Sequence, residues 1–214
     1  MPATARRARE KQQRYEDIVD AAETTFVAHG FANTSMDEIA RNAQLSRALL
    51  YVYFKDKAAI MRAVMLKALQ AMAARFRAAL ESETTGIKQI KQIGLAYYAF
   101  SLEESDYFDM LTELSTFPDP EEPDAVTENM QSCREEVDRM MVQALHNGMA
   151  DGSLNPDHIG DPLLTAYILQ GSLHGVIMST RQPKNPNVTE VDGEKLVHRA
   201  IDMMCFAMQS GVHE

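Results

Sequence analysis

The sequence of 214 residues contains no tryptophan and only two cysteines, Cys133 and Cys205. It has no apolar run near the roughly 20 residues that a membrane-spanning helix needs. Its N-terminus lacks the apolar core of a secretory signal. These absences argue against a membrane protein and against a disulfide-rich secreted domain. We therefore expect a cytoplasmic protein with two reduced, partly buried thiols, and a redox switch is the alternative for those thiols.

The sequence also lacks the motifs on which common enzyme chemistries depend. There is no nucleophile elbow and no glycine-rich phosphate loop, and the six histidines do not fall at metal-ligand spacing. No Glu-x-x-His pair points to a di-metal site in a helical bundle. We predict that the chain is not an enzyme and needs no metal or cofactor. Two classes of protein remain: a regulatory protein, and a helical adaptor that binds only protein.

Helical periodicity runs along almost the whole sequence, with no convincing strand and no internal repeat. The pattern predicts an all-α protein of about nine helices, of which three are short and six longer. Residues 1–56 form one predicted domain and residues 57–214 a second. The predicted helices cover residues 11–29, two short stretches after Ser35 and Ser46, 57–80, 87–103, 105–117, 125–147, 157–181 and 192–210. Loops are predicted over the acidic residues 118–124 and over 182–187.

Charge is distributed unevenly between these two predicted domains. The whole chain carries a net charge of −10, but residues 1–57 hold nine Lys and Arg against eight Asp and Glu, a net charge of +1. The remaining residues hold 12 Lys and Arg against 23 Asp and Glu, a net charge of −11. An acidic body with a small basic end is typical of a protein that approaches nucleic acid by one surface. The five basic residues before Tyr15 either contact phosphate or form a solvated tail.

The segment 33–57 has the pattern of a helix-turn-helix, two short capped helices joined by a tight turn. Ser35, with Glu38 three residues later, forms a capping box, and Ser46 is a typical N-terminal cap for the second helix. Spacing alone also allows an ordinary corner of three helices with a polar surface. A helix-turn-helix would make double-stranded DNA the partner.

The second of these short helices has a polar face and an apolar face. Arg47 and Tyr51 lie one turn apart on one side, while Leu50 and Phe54 lie on the other. Arg47 directly follows the cap, where a recognition helix reaches base edges, and arginine suits a guanine edge or a phosphate. The Tyr51 hydroxyl suits a phosphate oxygen.

Helix starts on either side of this unit supply further candidate phosphate contacts. Lys57 opens the long helix after the unit, and Thr34 and Ser35 precede the first short helix. Free backbone amides and the positive end of the helix dipole favour an anion at such starts.

In these residues the segment resembles the N-terminal domain of the TetR/AcrR family of bacterial transcription regulators. The resemblance covers residues 12–62 without a gap. The matching residues are Ile18, Ala21, Ala22, Phe26, Gly30, Phe31, Thr34, Ile39, Ala40, Ala43, Ser46, Leu50, Tyr51, Tyr53, Phe54 and Lys57.

The resemblance implies a homodimer that represses transcription by binding a pseudo-palindromic operator, with activation as the rarer alternative. It also implies a C-terminal helical domain for dimerisation and for a small molecule that releases the DNA. The DNA contacts that it implies are Thr34 or Ser35, Arg47, Tyr51, Tyr53 and Lys57.

The turn and the reading helix depart from the family pattern at four positions. Gln44 stands where the family usually has glycine, and Ala48 and Leu49 replace a common Gly-Thr pair. Val52 replaces a common histidine or aromatic residue. We expect these changes to alter which bases are read, since Leu49 or Val52 can meet a thymine methyl group where a polar contact is lost.

Candidate effector-binding residues in the second domain are mostly apolar, with a few polar groups, as small-molecule sites require. We expect a lipophilic or aromatic effector, and a cationic one would need a buried acid. The alternative is that these residues form a plain core, although Gln170 and His174 need polar partners in any core. The candidates are Tyr97, Phe100, Tyr107, Met110, Leu111, Met140, Met141, Leu145, Tyr167, Gln170 and His174.

The last two long helices are the candidates for dimerisation. Gly171, Ser172 and Gly175 permit close approach of two helices, and an apolar stripe follows on the last helix. Two copies paired about a two-fold axis would form a four-helix bundle. Alternatively, both stripes pack inside one subunit. The apolar stripe consists of Leu196, Val197, Ala200, Ile201, Met204 and Met208.

The long helix predicted from Asp56 to about Leu80 suggests how the two domains communicate. Lys57 opens this helix, and we expect its C-terminal half to border the effector. A ligand that tilts the helix would change the separation of the two DNA-binding domains in a dimer. Because operator half-sites lie at a fixed spacing, this change would lower the affinity for DNA.

Overall fold

The computed structural model describes residues 3–112, 124–181 and 192–210, and contains no β-strand within these ranges. The predicted all-α class is confirmed. Ten helices lie in the described ranges, one more than predicted. They are α1 Ala3–Asn33, α2 Met36–Asn42, α3 Arg47–Tyr53, α4 Lys57–Glu81, α5 Gly86–Glu103, α6 Ser105–Thr112, α7 Ala125–Ala150, α8 Pro156–Ile159, α9 Pro162–Arg181 and α10 Gly193–Met208.

The chain divides into two compact units. The N-terminal unit consists of Met1–Leu69 and Asp109–Met130. The C-terminal unit consists of Gln70–Phe108 and Gln131–Glu214. The predicted division into a DNA-binding domain of residues 1–56 and an effector domain of residues 57–214 is a functional one, and it stays a prediction.

Helix α1 begins at Ala3, well before the start predicted at Lys11. The added residues are mostly Ala, Arg and Glu, which have high helix propensity, so this stretch is helix and not an irregular tail. Arg6 and Glu10 form an ion pair of 3.4 Å across one turn of it. The regular helix breaks at Gly30, as predicted, because φ 75° and ψ 158° there are not helical and only glycine adopts such angles without strain.

The predicted caps of α2 and α3 are present. The Ser35 hydroxyl accepts a hydrogen bond of 3.2 Å from the Glu38 amide, and the Ser46 hydroxyl accepts one of 3.2 Å from the Leu49 amide. The Glu38 carboxylate lies 3.4 Å from His29 Nε2. The serine half of the predicted capping box is therefore confirmed, while the Glu38 side chain contacts a histidine of α1.

The turn between α2 and α3 is a Schellman motif. The Leu45 amide donates to the Ala40 carbonyl at 2.8 Å and the Gln44 amide to the Arg41 carbonyl at 3.1 Å. This motif places Gln44 at a φ of 57°, a left-handed conformation that usually requires glycine. The strain of such a residue is on the order of 1–2 kcal/mol. It explains in physical terms why Gln44 is unusual at this position.

In the C-terminal unit, α5, α9 and α10 pack against one another around a core of large apolar side chains. The helix predicted over 157–181 is in fact two helices, and this prediction was wrong. Gly160 has a φ of 58°, and Pro162 cannot donate a backbone hydrogen bond, so the chain turns between α8 and α9. Fully buried core residues of this unit include Ile93, Phe100, Phe108, Leu145, Leu154 and Ile177.

Two glycines allow α5 and α7 to cross at very short range. A Cβ atom on Gly86 would lie 2.0 Å from the backbone nitrogen of Gly148. Asp151 then accepts the Gly86 amide at 2.7 Å, and Ser153 accepts the Ile87 amide at 3.2 Å. Residues of the α7–α8 turn therefore satisfy the amides at the start of α5.

The predicted loops 118–124 and 182–187 lie outside the described residues, except for Asp124. Asp124 accepts the Thr127 amide at 2.9 Å and so caps α7. The helix predicted over 105–117 can be followed as far as Thr112. Within the described ranges, none of the helices is long and apolar enough to cross a membrane.

Candidate DNA-binding surface and effector cavity

Helix α3 turns one face into the N-terminal unit and the other outward, as the sequence pattern predicts. Leu50 and Phe54 are buried, and the Phe54 ring stacks on Tyr15 with centroids 5.0 Å apart. Arg47 and Tyr51 are exposed on the outer face. The core contacts therefore fix which residues α3 can offer to a partner.

Arg47 is held on the outer face by two neighbours. Its Nη1 lies 3.2 Å from Asp37 Oδ2, and its guanidinium lies 5.7 Å from the centre of the Tyr51 ring. A hydrogen bond with Tyr51 and the charge of Asp37 both raise the pKa of Arg47. The guanidinium is therefore fully charged. A DNA phosphate that approached Arg47 would displace or repel the Asp37 side chain.

Apolar side chains complete the outer face of α3. Val52 is 72% exposed and Leu49 is also exposed, although burying either apolar side chain would be favourable. Tyr53 is half-buried. An exposed valine and leucine beside Arg47 can contact thymine methyl groups.

Thr34 and Ser35 differ sharply in accessibility. Ser35 is exposed at the start of α2. Thr34 is only 3% exposed, and its hydroxyl donates to the Gly30 carbonyl at 2.9 Å. Of the two predicted phosphate contacts, Ser35 alone presents its hydroxyl to solvent.

The Lys57 ammonium group is bound to backbone carbonyl groups. Its Nζ donates to the carbonyls of Phe31 at 2.5 Å and Thr34 at 2.7 Å. It also lies 4.4 Å from the centre of the Phe31 ring. Lys57 therefore joins the start of α4 to the junction between α1 and α2. Sequence reasoning assigned it only to phosphate, because the carbonyls it reaches are far away in the sequence.

The C-terminal unit contains a cavity lined almost entirely by apolar side chains. It has an empty volume of about 510 Å³, part of which is open to solvent. Little of this space lies far from the walls, so the cavity is narrow. The described lining residues are Met72, Phe76, Ile90, Ile93, Gly94, Tyr97, Met141, Leu169, Gln170, Leu173, Ile201, Met204 and Cys205.

Three of the eleven candidate effector residues, Tyr97, Met141 and Gln170, line this cavity. His174 lies next to it, since its Nδ1 is 2.8 Å from the Tyr97 hydroxyl. Burial raises the pKa of Tyr97 to about 12 and lowers the pKa of His174. Both side chains are therefore neutral at physiological pH, and they form a hydrogen-bonded pair.

The other candidates do not line the cavity. Phe100 is completely buried in the core beside Phe108. Tyr167 is exposed, and its hydroxyl donates to Asp138 Oδ2 at 3.2 Å. Tyr107 is half-buried, and Met110 falls in the N-terminal unit. Sequence reasoning missed the cavity residues on α4 and α10, although both helices carry a clear apolar stripe.

An uncovered apolar face runs along α9 and α10. Gly171, Ser172 and Gly175 are exposed, as predicted for an approach surface. On α10 the stripe differs from the prediction, because Val197 and Ile201 are buried within the subunit. The large apolar side chains exposed on these two helices are Leu163, Leu164, Tyr167, Ile168, Leu196, Met203 and Phe206.

Both cysteines are free and buried. Burial raises the pKa of Cys205 to about 11 and also raises the pKa of Cys133. Because the thiolate is the reactive form, neither thiol is poised for redox chemistry.

Residues 18–64 match the model of a family described as bacterial regulatory proteins, tetR family. Two curated relatives come from Mycolicibacterium smegmatis. The activator FasR is 24% identical over 127 residues, which are 59% of this chain and 58% of FasR. The repressor KstR2 is 25% identical over 149 residues, which are 67% of this chain and 69% of KstR2. The chain thus aligns with about three fifths to two thirds of each relative.

A solved structure shares the fold over most of the chain. PfmR, a TetR family transcriptional regulator from Thermus thermophilus, superposes with a TM-score of 0.65. The match covers 92% of this chain and 99% of PfmR, at 21% sequence identity.

Proposed function

We propose that the chain is a transcriptional regulator of the TetR family, which binds a pseudo-palindromic operator as a homodimer and is released by a small molecule. The observation that carries this proposal is the orientation of α3. Its core face is buried, and it presents a charged arginine beside tyrosine, leucine and valine. Such a face suits the major groove of double-stranded DNA. The relatives are transcriptional regulators, and we assign this chain no catalytic activity.

The proposed DNA contacts are Ser35, Arg47, Tyr51 and Tyr53, with Leu49 and Val52 as apolar contacts. Repression is the proposed direction of control, and activation is the alternative that the similarity to FasR supports. A reporter gene placed behind the bound promoter distinguishes them. As a chromosome-binding protein the regulator would act in the cytoplasm.

Replacing Arg47 with alanine is expected to reduce discrimination between operator and random DNA by about 1–3 kcal/mol, because a bidentate arginine–guanine contact is worth this much. Fluorescence anisotropy with duplexes from upstream of the chain's own gene measures both affinities. Arg139→Ala is the matched control, since this exposed arginine pairs with Glu135 in the C-terminal unit. If Arg47→Ala binds the operator as selectively as the wild type, α3 does not read DNA through Arg47.

The proposed dimer uses the uncovered face of α9 and α10. Phe206 is 78% exposed in the single chain, and burying such a ring in an interface is favourable by about 1.5–3 kcal/mol. Small residues on α9 would let two copies approach closely, and the exposed apolar side chains of α10 would fill the contact. This interface keeps the four-helix arrangement expected from the sequence, but with a different α10 face.

The Phe206→Glu variant is expected to be monomeric at micromolar concentrations where the wild type is dimeric, because the carboxylate would be buried at the two-fold contact. Analytical ultracentrifugation measures the two states. Leu102→Glu is the matched control, because Leu102 is 60% exposed on α5, outside this face. A monomeric wild type, a dimeric Phe206→Glu variant, or a monomeric Leu102→Glu variant would contradict the interface.

Effector binding in the C-terminal unit is proposed to weaken DNA binding by a coupling free energy on the order of 1–3 kcal/mol. The coupling is reciprocal, so operator DNA must weaken effector binding by the same factor. Helix α4 contributes residues to both units, which supports its proposed part in the coupling.

A further inference from the structure

We infer that the effector is an uncharged amphiphile, with an apolar body and one neutral hydrogen-bonding group such as a hydroxyl or an ester. This inference rests on the proposed function, since it names the chemical class that the cavity of the C-terminal unit would take. It is carried by the distribution of polar and charged groups around that cavity.

Most of the cavity wall can only contact hydrocarbon. Phe76, Ile93 and Ile201 line it, together with flexible Met72 and Met204. Methionine side chains adapt to ligands of different outline because they are unbranched and polarizable. A narrow apolar cavity with such walls favours a slender apolar body that displaces little ordered water.

The polar side chains at the cavity form a group that we call the polar edge, defined as Tyr97 and Gln170 of the lining and His174 next to it. Gln170 and His174 lie one turn apart on α9, and the Tyr97 hydroxyl is 2.8 Å from His174 Nδ1. The neutral Tyr–His pair can share its hydrogen in either direction. The tyrosine oxygen can therefore accept a hydrogen bond from a ligand hydroxyl or donate one to a ligand carbonyl.

None of the described residues that line the cavity is charged. Several ionic groups on these helices already have partners, and Arg181 of α9 donates to the Ser101 carbonyl at 2.8 Å. Lys91 lies 2.7 Å from Asp202, and Arg75 lies 2.6 Å from Glu104. A carboxylate or ammonium group bound here would lose its hydration without gaining a counter-charge, which costs several kcal/mol in proteins.

The test compares three ligands of equal chain length, 1-decanol, decanoate and decylamine, on the full-length protein without DNA. Each competes with the neutral dye N-phenyl-1-naphthylamine, whose fluorescence rises in an apolar site. At neutral pH the acid and the amine are ionised, so only decanol is neutral. We expect decanol to bind at least about tenfold more tightly than either ion.

Two variants locate the binding. Tyr97→Phe keeps the ring and removes the hydroxyl, so decanol should bind about tenfold more weakly while the dye binds as before. Gly94→Leu projects a side chain toward Ile201 and Leu173 and should abolish binding of both. Lys88→Leu is its matched control, because it adds the same side chain at an exposed position of α5 outside the cavity lining. Circular dichroism checks that each variant folds. If Gly94→Leu does not fold, the decanol affinity of Tyr97→Phe alone tests whether the ligand binds in this cavity.

Tighter binding of decanoate or decylamine, equal binding of all three ligands, or no binding of decanol would overturn the inference. Unchanged decanol binding by Tyr97→Phe would overturn the role of the polar edge. These outcomes do not depend on DNA. If the anisotropy experiment fails while decanol binds selectively, the proposed function is wrong and the ligand class stands. If operator binding succeeds while decanol fails, only the ligand class is wrong.

Discussion

The Lys57→Met variant is expected to lose roughly 2 to 3 kcal/mol of unfolding free energy in the N-terminal unit. Its ammonium group donates to the carbonyls of Phe31 and Thr34, and hydrogen bonds to a charged group contribute about 1.5–3 kcal/mol each. The substitution leaves these carbonyls without their donor and removes the cation from the Phe31 ring. Chemical denaturation followed by far-ultraviolet circular dichroism measures the loss. Lys55→Met is the control, since Lys55 is exposed two residues away.

The same variant separates the structural role of Lys57 from the predicted phosphate contact. A lysine that neutralises one phosphate contributes about one unit to the slope of log affinity against log salt. We expect Lys57→Met to bind all DNA more weakly with an unchanged slope, because the loosened α1–α2 junction no longer holds α2 and α3 in place. A stable variant whose slope falls by about one unit would show that Lys57 acts mainly on phosphate.

The Gly86→Ala variant is expected to destabilise the C-terminal unit by about 3 kcal/mol or more. The new methyl group would lie 2.0 Å from the Gly148 nitrogen and 2.5 Å from the Ala144 carbonyl oxygen. Both are backbone atoms of α7, so no side chain can rotate away, and overpacking a rigid contact typically costs 1–3 kcal/mol or more. Thermal unfolding with and without decanol measures the effect.

Gly94→Ala on the same helix is the internal control for Gly86→Ala. Its methyl group would contact the Ile201 and Leu173 side chains at 3.4 Å, which is an ordinary distance. We expect its unfolding free energy to stay within about 1 kcal/mol of the wild type, since alanine also has the higher helix propensity. Equal stability of the two variants would mean that α5 and α7 do not cross as closely as described.

The N-terminal unit could be predicted from the sequence because the interactions that define its helices join residues close together in the chain. The Ser35 and Ser46 caps each bind an amide three residues away, and Leu50 and Phe54 lie on one face by helical spacing alone. Gln44 could be recognised as unusual, but only the structure shows that it occupies a left-handed Schellman position.

The break between α8 and α9 could have been predicted as well. Gly160 and Pro162 stand two residues apart, and both are strong signals for the end of a helix. The apolar periodicity continues on both sides of them and by itself favours a single helix. The backbone restrictions of Gly160 and Pro162 decide the conformation here.

The effector site could be predicted only in part, because it depends on which helix faces meet. Spacing places Tyr167 and Gln170 on one side of α9, yet Gln170 lines the cavity and Tyr167 reaches Asp138 at the surface. On α10, burial of Ile201 and exposure of Phe206 depend on contacts with α5 and α9. Residues so distant in sequence leave no local signal of their pairing.

The burial of Cys133 and Cys205 has a practical consequence for measuring motion in this protein. Thiols with raised pKa values react slowly with maleimides, so a cysteine introduced at an exposed position such as Val52 would be modified first. Spin labels could then be attached to α3 in both copies of a dimer without removing the native cysteines. The distance between the labels would report directly how far apart the two reading helices stand before and after an effector binds.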